Sequence, residues 1–130
     1  MKVLLTSADP VVREMVGLAI TGLERRMREP LRLLEAEDGK QGLRIAWRER
    51  PHVVVADEIA SRAGAFAMAR DLRGAEEPYR GIIVILLERP EDTWLAKWSG
   101  ADAWFTKPVD PFELVEKVGE LLADRMKESA

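Results

Sequence analysis

The segment PHVVVAD, residues 51–57, places four apolar residues in an unbroken run that ends in the carboxylate of Asp57. A second run, Ile82–Leu87, is apolar at all six positions. Strands covered by helices on both faces need such runs, because neither side of the strand meets water. Both segments therefore predict inner strands of a parallel sheet.

Apolar runs and helical segments alternate along the whole chain. Further strands are predicted at 3–5, 31–36 and 103–106. Asp9 is predicted to cap a first helix that has Pro10 in its first turn and ends by Pro30. Asp38-Gly39 is interpreted as a turn before a second helix, which ends before Pro51. A third helix is expected around Phe66, Met68, Ala69 and Leu72, a fourth over 90–99, and a fifth from Asp110 and Pro111 onward.

Two helices have a clear apolar face with the spacing of three and four residues that a helix requires. In the first helix these residues are Val11, Val12, Met15, Val16, Ala19, Ile20, Leu23 and Met27, and in the last they are Phe112, Leu114, Val115, Val118, Leu121 and Leu122.

The alternation predicts an α/β fold with five parallel strands and five helices, and it excludes a helical bundle. Right-handed crossovers bring the carboxyl ends of parallel strands to one edge of the sheet. We therefore expect Ser7, Ala8, Asp57, the end of the fourth strand and Lys107 to converge there.

Composition supports one domain, residues 1–130, with a polar tail, 124–130, that is expected to fray. The chain has 130 residues, is 47% hydrophobic and 33% charged, and contains no cysteine, which excludes a disulfide framework. A formal net charge of −3 argues against a general polyanion-binding surface, so no nucleic acid contact is expected. Neither a signal peptide nor a membrane-spanning run is present in the sequence, which predicts a cytosolic location.

Six segments, in order and at family spacing, give the chain a resemblance to the receiver domain of bacterial two-component response regulators. They are KVLL (2–5), DPVVR (9–13), AEDG (36–39), PHVVVAD (51–57), GADA (100–103) and TKPVDP (106–111). The resemblance implies a flavodoxin-like, doubly wound sheet. It also implies that Asp57 stands at the phosphoacceptor position, that Lys107 stands at the position of the lysine that contacts the phosphoryl group, and that a histidine kinase is a partner.

The chain departs from the family at the acidic pocket. Family members hold Mg²⁺ with two further acids after the first strand, where this chain has Ser7 and Ala8; Asp9 follows one residue late. The hydroxyl residue expected at the end of the fourth strand falls within Ile85, Leu86 and Leu87, none of which has one. The loop 58–65 also lacks the usual Pro and Asp-Gly pattern.

These departures predict a degenerate receiver. A site with three carboxylates and one lysine carries about −2 before metal binds, which recruits the cation. Here Asp57 and Lys107 sum to zero, so we expect an ion pair about 3 to 4 Å long. The hypothesis is that Asp57 is a poor Mg²⁺ ligand, that no cofactor is required, that phosphate is accepted slowly or not at all, and that the domain is not an enzyme.

Three alternatives remain. One is a competent phosphoacceptor, phosphorylated on Asp57 by a histidine kinase, with metal ligands from Asp9 or Glu58. An aspartate-nucleophile phosphohydrolase needs a second acid two residues after the nucleophile, where this chain has Ile59. A nucleotide or flavin binder needs a glycine-rich loop after the first strand, and residues 6–10 contain no glycine.

The tryptophans offer a docking surface as an alternative to core packing. Trp94 and Trp98 lie four residues apart on one predicted helix face, and Trp104 occupies the position of the family's switch aromatic. The family resemblance implies docking or homodimerisation through the fourth helix, fifth strand and fifth helix. His52 is interpreted as a surface residue.

Overall fold

The computed structural model describes residues 1–59 and 64–129, and its elements alternate as the sequence predicts. The strands are β1 (Lys2–Thr6), β2 (Arg32–Ala36), β3 (Val53–Asp57), β4 (Ile82–Leu87) and β5 (Ala103–Thr106). The helices are α1 (Pro10–Met27), α2 (Gly39–Glu49), α3 (Ala65–Gly74), α4 (Thr93–Ser99) and α5 (Pro111–Ser129), with a short 3-10 helix (Pro90–Asp92) before α4.

The five strands form one parallel sheet in the order β2-β1-β3-β4-β5. In the register between β3 and β4, Val53 pairs with Ile82 and Asp57 with Leu86. The predicted α/β, doubly wound fold is therefore confirmed.

The sheet separates two apolar cores, because successive side chains of a strand point to opposite faces. Val53 and Val55 face α1 and α5, while Val54 and Ala56 face α2, α3 and α4. Every residue of β3 and β4 is buried, as strands covered on both sides must be. This double burial makes the central strands a firm support for groups at their carboxyl ends.

The observed helix starts test the predicted capping and turn residues. Asp9 caps α1, as predicted, and its Oδ1 accepts from the Val11 amide at 2.9 Å. The interpretation of Asp38-Gly39 as a separate turn is wrong, because Asp38 caps α2 and accepts from the Gln41 amide. The predicted helix over 90–99 is divided into the 3-10 segment and α4.

Two residues assigned to apolar faces lie outside the core. Val11 is 73% exposed and Phe112 is 83% exposed. Both belong to the first turn of their helix, and the helical period does not show whether another element covers that turn. α5 continues as helix to Ser129, through the tail that the sequence predicts to fray. Among the described residues, no helix is both long and apolar enough to cross a bilayer.

Candidate functional site

The carboxyl edge of the sheet brings Ser7, Asp57 and Lys107 together. β3 lies between β1 and β4, and β5 follows on the far side of β4. The Ser7 amide donates to the Ala36 carbonyl, and the Lys107 amide donates to the Leu87 carbonyl, each at 2.9 Å. These bonds continue the strand ladders by one residue and so direct both side chains toward the end of β3.

Asp57 is 1% exposed and both of its carboxylate oxygens accept hydrogen bonds. The Ser7 hydroxyl donates to Oδ2 at 2.8 Å, and the Lys107 ammonium donates to Oδ1 at 2.5 Å. The Ile59 amide adds a longer bond to Oδ1 at 3.3 Å. The contact with Lys107 is shorter than the separation of 3 to 4 Å expected from sequence. The buried carboxylate is therefore neutralised by the chain itself.

Lys107 has a second carboxylate partner that the sequence did not predict. Its ammonium lies 3.1 Å from Oε2 of Glu88, the residue after β4. Burial acts to lower the pKa of Lys107, but the hydrogen bonds to Asp57 and Glu88 outweigh it and raise the pKa above its usual value. Lys107 is therefore a charged ammonium bridging two strand ends. Only the position of Glu88 directly after a buried strand could have indicated this contact.

The Glu58 carboxyl contacts Glu88 and Asp92, which follow β4. The Glu88 amide donates to its Oε2. Burial, followed by a hydrogen bond to Asp92, raises the pKa of Glu58, while the same bond and Arg89 lower the pKa of Asp92. The Glu58 carboxyl thus joins the loop after β3 to the segment that follows β4.

The three residues of the predicted degenerate pocket lie in different environments. Ser7 is fully buried, and its hydroxyl also accepts from the Asp9 amide at 3.1 Å. Ala8 is exposed and has no side-chain donor atom. The Asp9 carboxylate accepts the hydrogen bond from the Val11 amide that caps α1.

The donor set does not fit Mg²⁺. This ion requires oxygen ligands in near-octahedral geometry, and it is usually held through one or two carboxylates. Both oxygens of Asp57 already accept bonds from Ser7 and Lys107. Within residues 1–59 and 64–129, no three His, Cys, Asp or Glu side chains are grouped to hold a metal.

The end of β4 is apolar and buried. Ile85, Leu86 and Leu87 are fully buried. Because all three are aliphatic, this strand end supplies no side-chain hydroxyl. Residues 60–63 of the predicted atypical loop lie outside the described residues.

The tryptophans of α4 lie on the surface rather than in the core. Trp94 is 64% exposed and Trp98 is 55% exposed. The Arg70 guanidinium covers the Trp98 ring at 4.4 Å from its centroid. Trp104 on β5 is half-buried, with the Lys97 ammonium 5.8 Å from its ring centroid. His52 is exposed, at the start of β3 and at the opposite edge of the sheet from Asp57.

Comparison with known proteins places these residues in a family context. No protein-family model matches the chain. An uncharacterized response regulatory protein of Mycobacterium tuberculosis is 31% identical over 122 residues, covering 94% of this chain and 91% of the relative.

Solved structures share the fold at lower identity. A putative response regulator from Chloroflexus aurantiacus superposes with a TM-score of 0.82 at 21% identity, covering 94% of this chain and 97% of that one. The receiver domain of the sensor histidine kinase PA1611 from Pseudomonas aeruginosa, solved with a magnesium ion in its active site cleft, gives 0.76 at 21% identity, with 92% and 94% covered. With relatives of this length and similarity, and with Asp57 and Lys107 at the carboxyl edge of the sheet, the chain belongs to the response-regulator family and has the fold of its receiver domain.

Proposed function

We propose that this protein is a degenerate receiver that binds Mg²⁺ poorly, accepts phosphate slowly or not at all, and signals through protein contacts without catalysis of its own. The observation that carries the proposal is the closed set of bonds around Asp57. Ser7 occupies one carboxylate oxygen and Lys107 the other. An internal ion pair between Asp57 and Lys107 thus lies where other receivers have an acidic crevice that attracts a cation.

The chemistry of phosphoryl transfer explains why this matters. In the acceptor reaction, an Asp57 oxygen would form a bond to phosphorus as the bond to the donor breaks. Charge on the transferring group must be neutralised by cations, usually Mg²⁺ together with a lysine. Here Lys107 is held by Asp57 and Glu88. The attacking oxygen of Asp57 must first lose a bond, either from Lys107 at Oδ1 or from Ser7 at Oδ2.

The Ser7→Asp/Ala8→Asp double variant tests this proposal. Two carboxylates at the first strand end restore a negative crevice, so we expect Mg²⁺ to bind at least about tenfold more tightly, equivalent to ~1.4 kcal/mol. Isothermal titration with MgCl₂ measures the affinity. Incubation with Mg²⁺ and acetyl phosphate, followed by mass spectrometry, measures the phosphoryl adduct.

The control adds the same charge elsewhere. Ala67→Asp/Ala123→Asp places two acids on exposed helix positions, and Mg²⁺ affinity should change by less than about threefold. Stoichiometric labelling of Asp57 in the unmodified chain would contradict the proposal and favour the competent phosphoacceptor.

The docking surface proposed for partner contact is the exposed α4 face that carries Trp94 and Trp98. Large aromatics are enriched at protein interfaces, and both tryptophans are exposed. A tryptophan at an interface often contributes about 2 kcal/mol or more, equivalent to about thirtyfold in affinity. The partner is a histidine kinase, another signalling protein or a second copy of the chain.

For a second copy, we expect Trp94→Ser/Trp98→Ser to weaken self-association by at least about tenfold in sedimentation experiments. The matched control is Val11→Ser/Leu18→Ser, which removes two exposed apolar side chains from α1. Equal weakening by both variants, or tryptophans shielded from acrylamide in the monomer, would rule out this surface.

A further inference from the structure

A groove at the amino edge of the sheet, opposite Asp57, has no role in the function described above. It encloses about 1050 Å³, which is large enough for a small organic ligand. It lies between the starts of β3 and β4, the loop after α3 and the end of α5. Its lining includes Arg50, His52, Tyr79, Arg80, Gly81 and Met126. We call it the basal groove.

The basal groove is cationic, although the chain as a whole is acidic. Four guanidiniums and the Met1 ammonium line it, against the carboxylates of Glu29 and Glu128. Glu29 is neutralised by the Met1 ammonium at 3.1 Å. Asp102 lies beside the groove and is shared by two of the arginines, Arg73 and Arg125. Five positive groups therefore face three carboxylates, an excess of two positive charges on a chain of net charge −3.

Two of the guanidiniums are available to a ligand. Arg50 and Arg80 are exposed, and across residues 1–59 and 64–129 neither meets a carboxylate; Arg50 instead stacks on the Trp47 ring at 4.7 Å. His52 supplies a third donor. Its Nδ1 accepts from the Lys2 amide at 3.1 Å, so the neutral ring carries its proton on Nε2.

The floor of the basal groove is a closely packed structure. The buried Tyr79 hydroxyl donates to the Pro51 carbonyl at 2.5 Å. A Cβ on Gly81 would lie 2.0 Å from that hydroxyl oxygen and 3.0 Å from the Pro51 carbonyl, so only glycine allows this approach. The Arg73 guanidinium donates to the carbonyls of Tyr79 and Gly81 from the other side. The floor is thus held before any ligand arrives.

The wall formed by α5 presents two apolar side chains, Leu122 and Met126, beside the charged Arg125 and Glu128. Leu122 is buried, while Met126 is 64% exposed and lines the groove. From the charged donors on one side and this wall on the other, we propose that the basal groove binds a small organic anion, a phosphate or carboxylate group carried on an apolar body. Arg50, Arg80 and His52 hold the anionic group, and Met126 covers the apolar part.

Amide NMR titration of the intact chain with naphthyl phosphate tests this inference. We expect saturable shifts at the amides of His52, Gly81 and Ile82, with a Kd of about 0.1–1 mM. Inorganic phosphate has only the anionic group and naphthol has only the apolar body, so each should bind at least about tenfold more weakly than naphthyl phosphate. No saturable shift at these amides up to about 10 mM naphthyl phosphate would overturn the proposal.

The key variant is Arg80→Gln, with Arg44→Gln as its matched control. Both arginines are exposed, but Arg44 lies on α2 away from the groove. Loss of one charge-assisted bond should weaken naphthyl phosphate binding about tenfold in Arg80→Gln and less than about twofold in Arg44→Gln. Equal weakening in both would show a diffuse charge effect and overturn the proposal. Unchanged circular dichroism separates lost binding from lost structure.

Discussion

Replacing Lys107 by methionine is expected to lower the free energy of unfolding by about 3 kcal/mol, because it leaves the Asp57 carboxylate buried without its charge partner. The Asp57 side chain is 1% exposed and the Lys107 side chain is 17% exposed. Because Lys107 is partly exposed, the expected destabilisation lies at the lower end of the range for breaking a buried ion pair. The pKa of Lys107 is raised, so its ammonium keeps its proton at pH 7 and the stabilisation is fully present there. Urea unfolding at pH 7 measures the loss.

A double-mutant cycle separates this contact from other effects of the substitution. Asp57→Asn still accepts the Ser7 hydroxyl, and Asp57→Asn/Lys107→Met removes both charges together. We expect the double variant to cost at least about 1 kcal/mol less than the sum of the single variants. Lys40→Met, at an exposed position of α2, should change stability by less than about 0.5 kcal/mol. Additive single costs would show that the ion pair is not a coupled unit.

Arg73→Met is expected to destabilise the chain by about 3 kcal/mol through loss of a hydrogen-bond cluster at the amino edge. The Arg73 guanidinium donates to the carbonyls of Gly100, Tyr79 and Gly81 at 3.0, 2.6 and 2.9 Å, and to Asp102 at 2.7 Å. Each bond contributes about 1 kcal/mol, and methionine leaves several acceptors without a donor. Thermal and urea unfolding measure the change.

Arg70→Met is the control for this prediction. Arg70 belongs to the same helix and is exposed, with one long bond to the Trp98 carbonyl at 3.4 Å. Its replacement should cost less than about 1 kcal/mol. If Arg73→Met were as mild as Arg70→Met, the cluster would not hold the edge of the sheet.

The fold followed from sequence because its central strands are apolar at every position. Residues 53–56 and Ile82–Leu87 fit only strands with two covered faces, and parallel crossovers then place Asp57 and Lys107 at the same edge. Helix ends were less predictable. Val11 and Phe112 match the helical period, but periodicity carries no information on whether a neighbouring element covers the first turn of a helix.

The site was only partly predictable. Contact between Asp57 and Lys107 follows from the strand order, whereas the bond from Lys107 to Glu88 depends on the course of the chain after β4. The raised pKa of Glu58 depends on its burial and on its contact with Asp92 in a different loop. Side-chain contacts between loops have no periodic signal, so the sequence could not indicate them.

β4 connects the two regions, with Gly81 and Ile82 near the basal groove and Leu86 and Glu88 at the crevice. The five steps from Ile82 to Leu87 span about 17 Å. A buried strand cannot shift by one residue without turning every side chain to the opposite face of the sheet. β4 therefore works as a rigid spacer. A shift of this strand at the basal groove would therefore also move the groups at the crevice, because both ends belong to one fixed register.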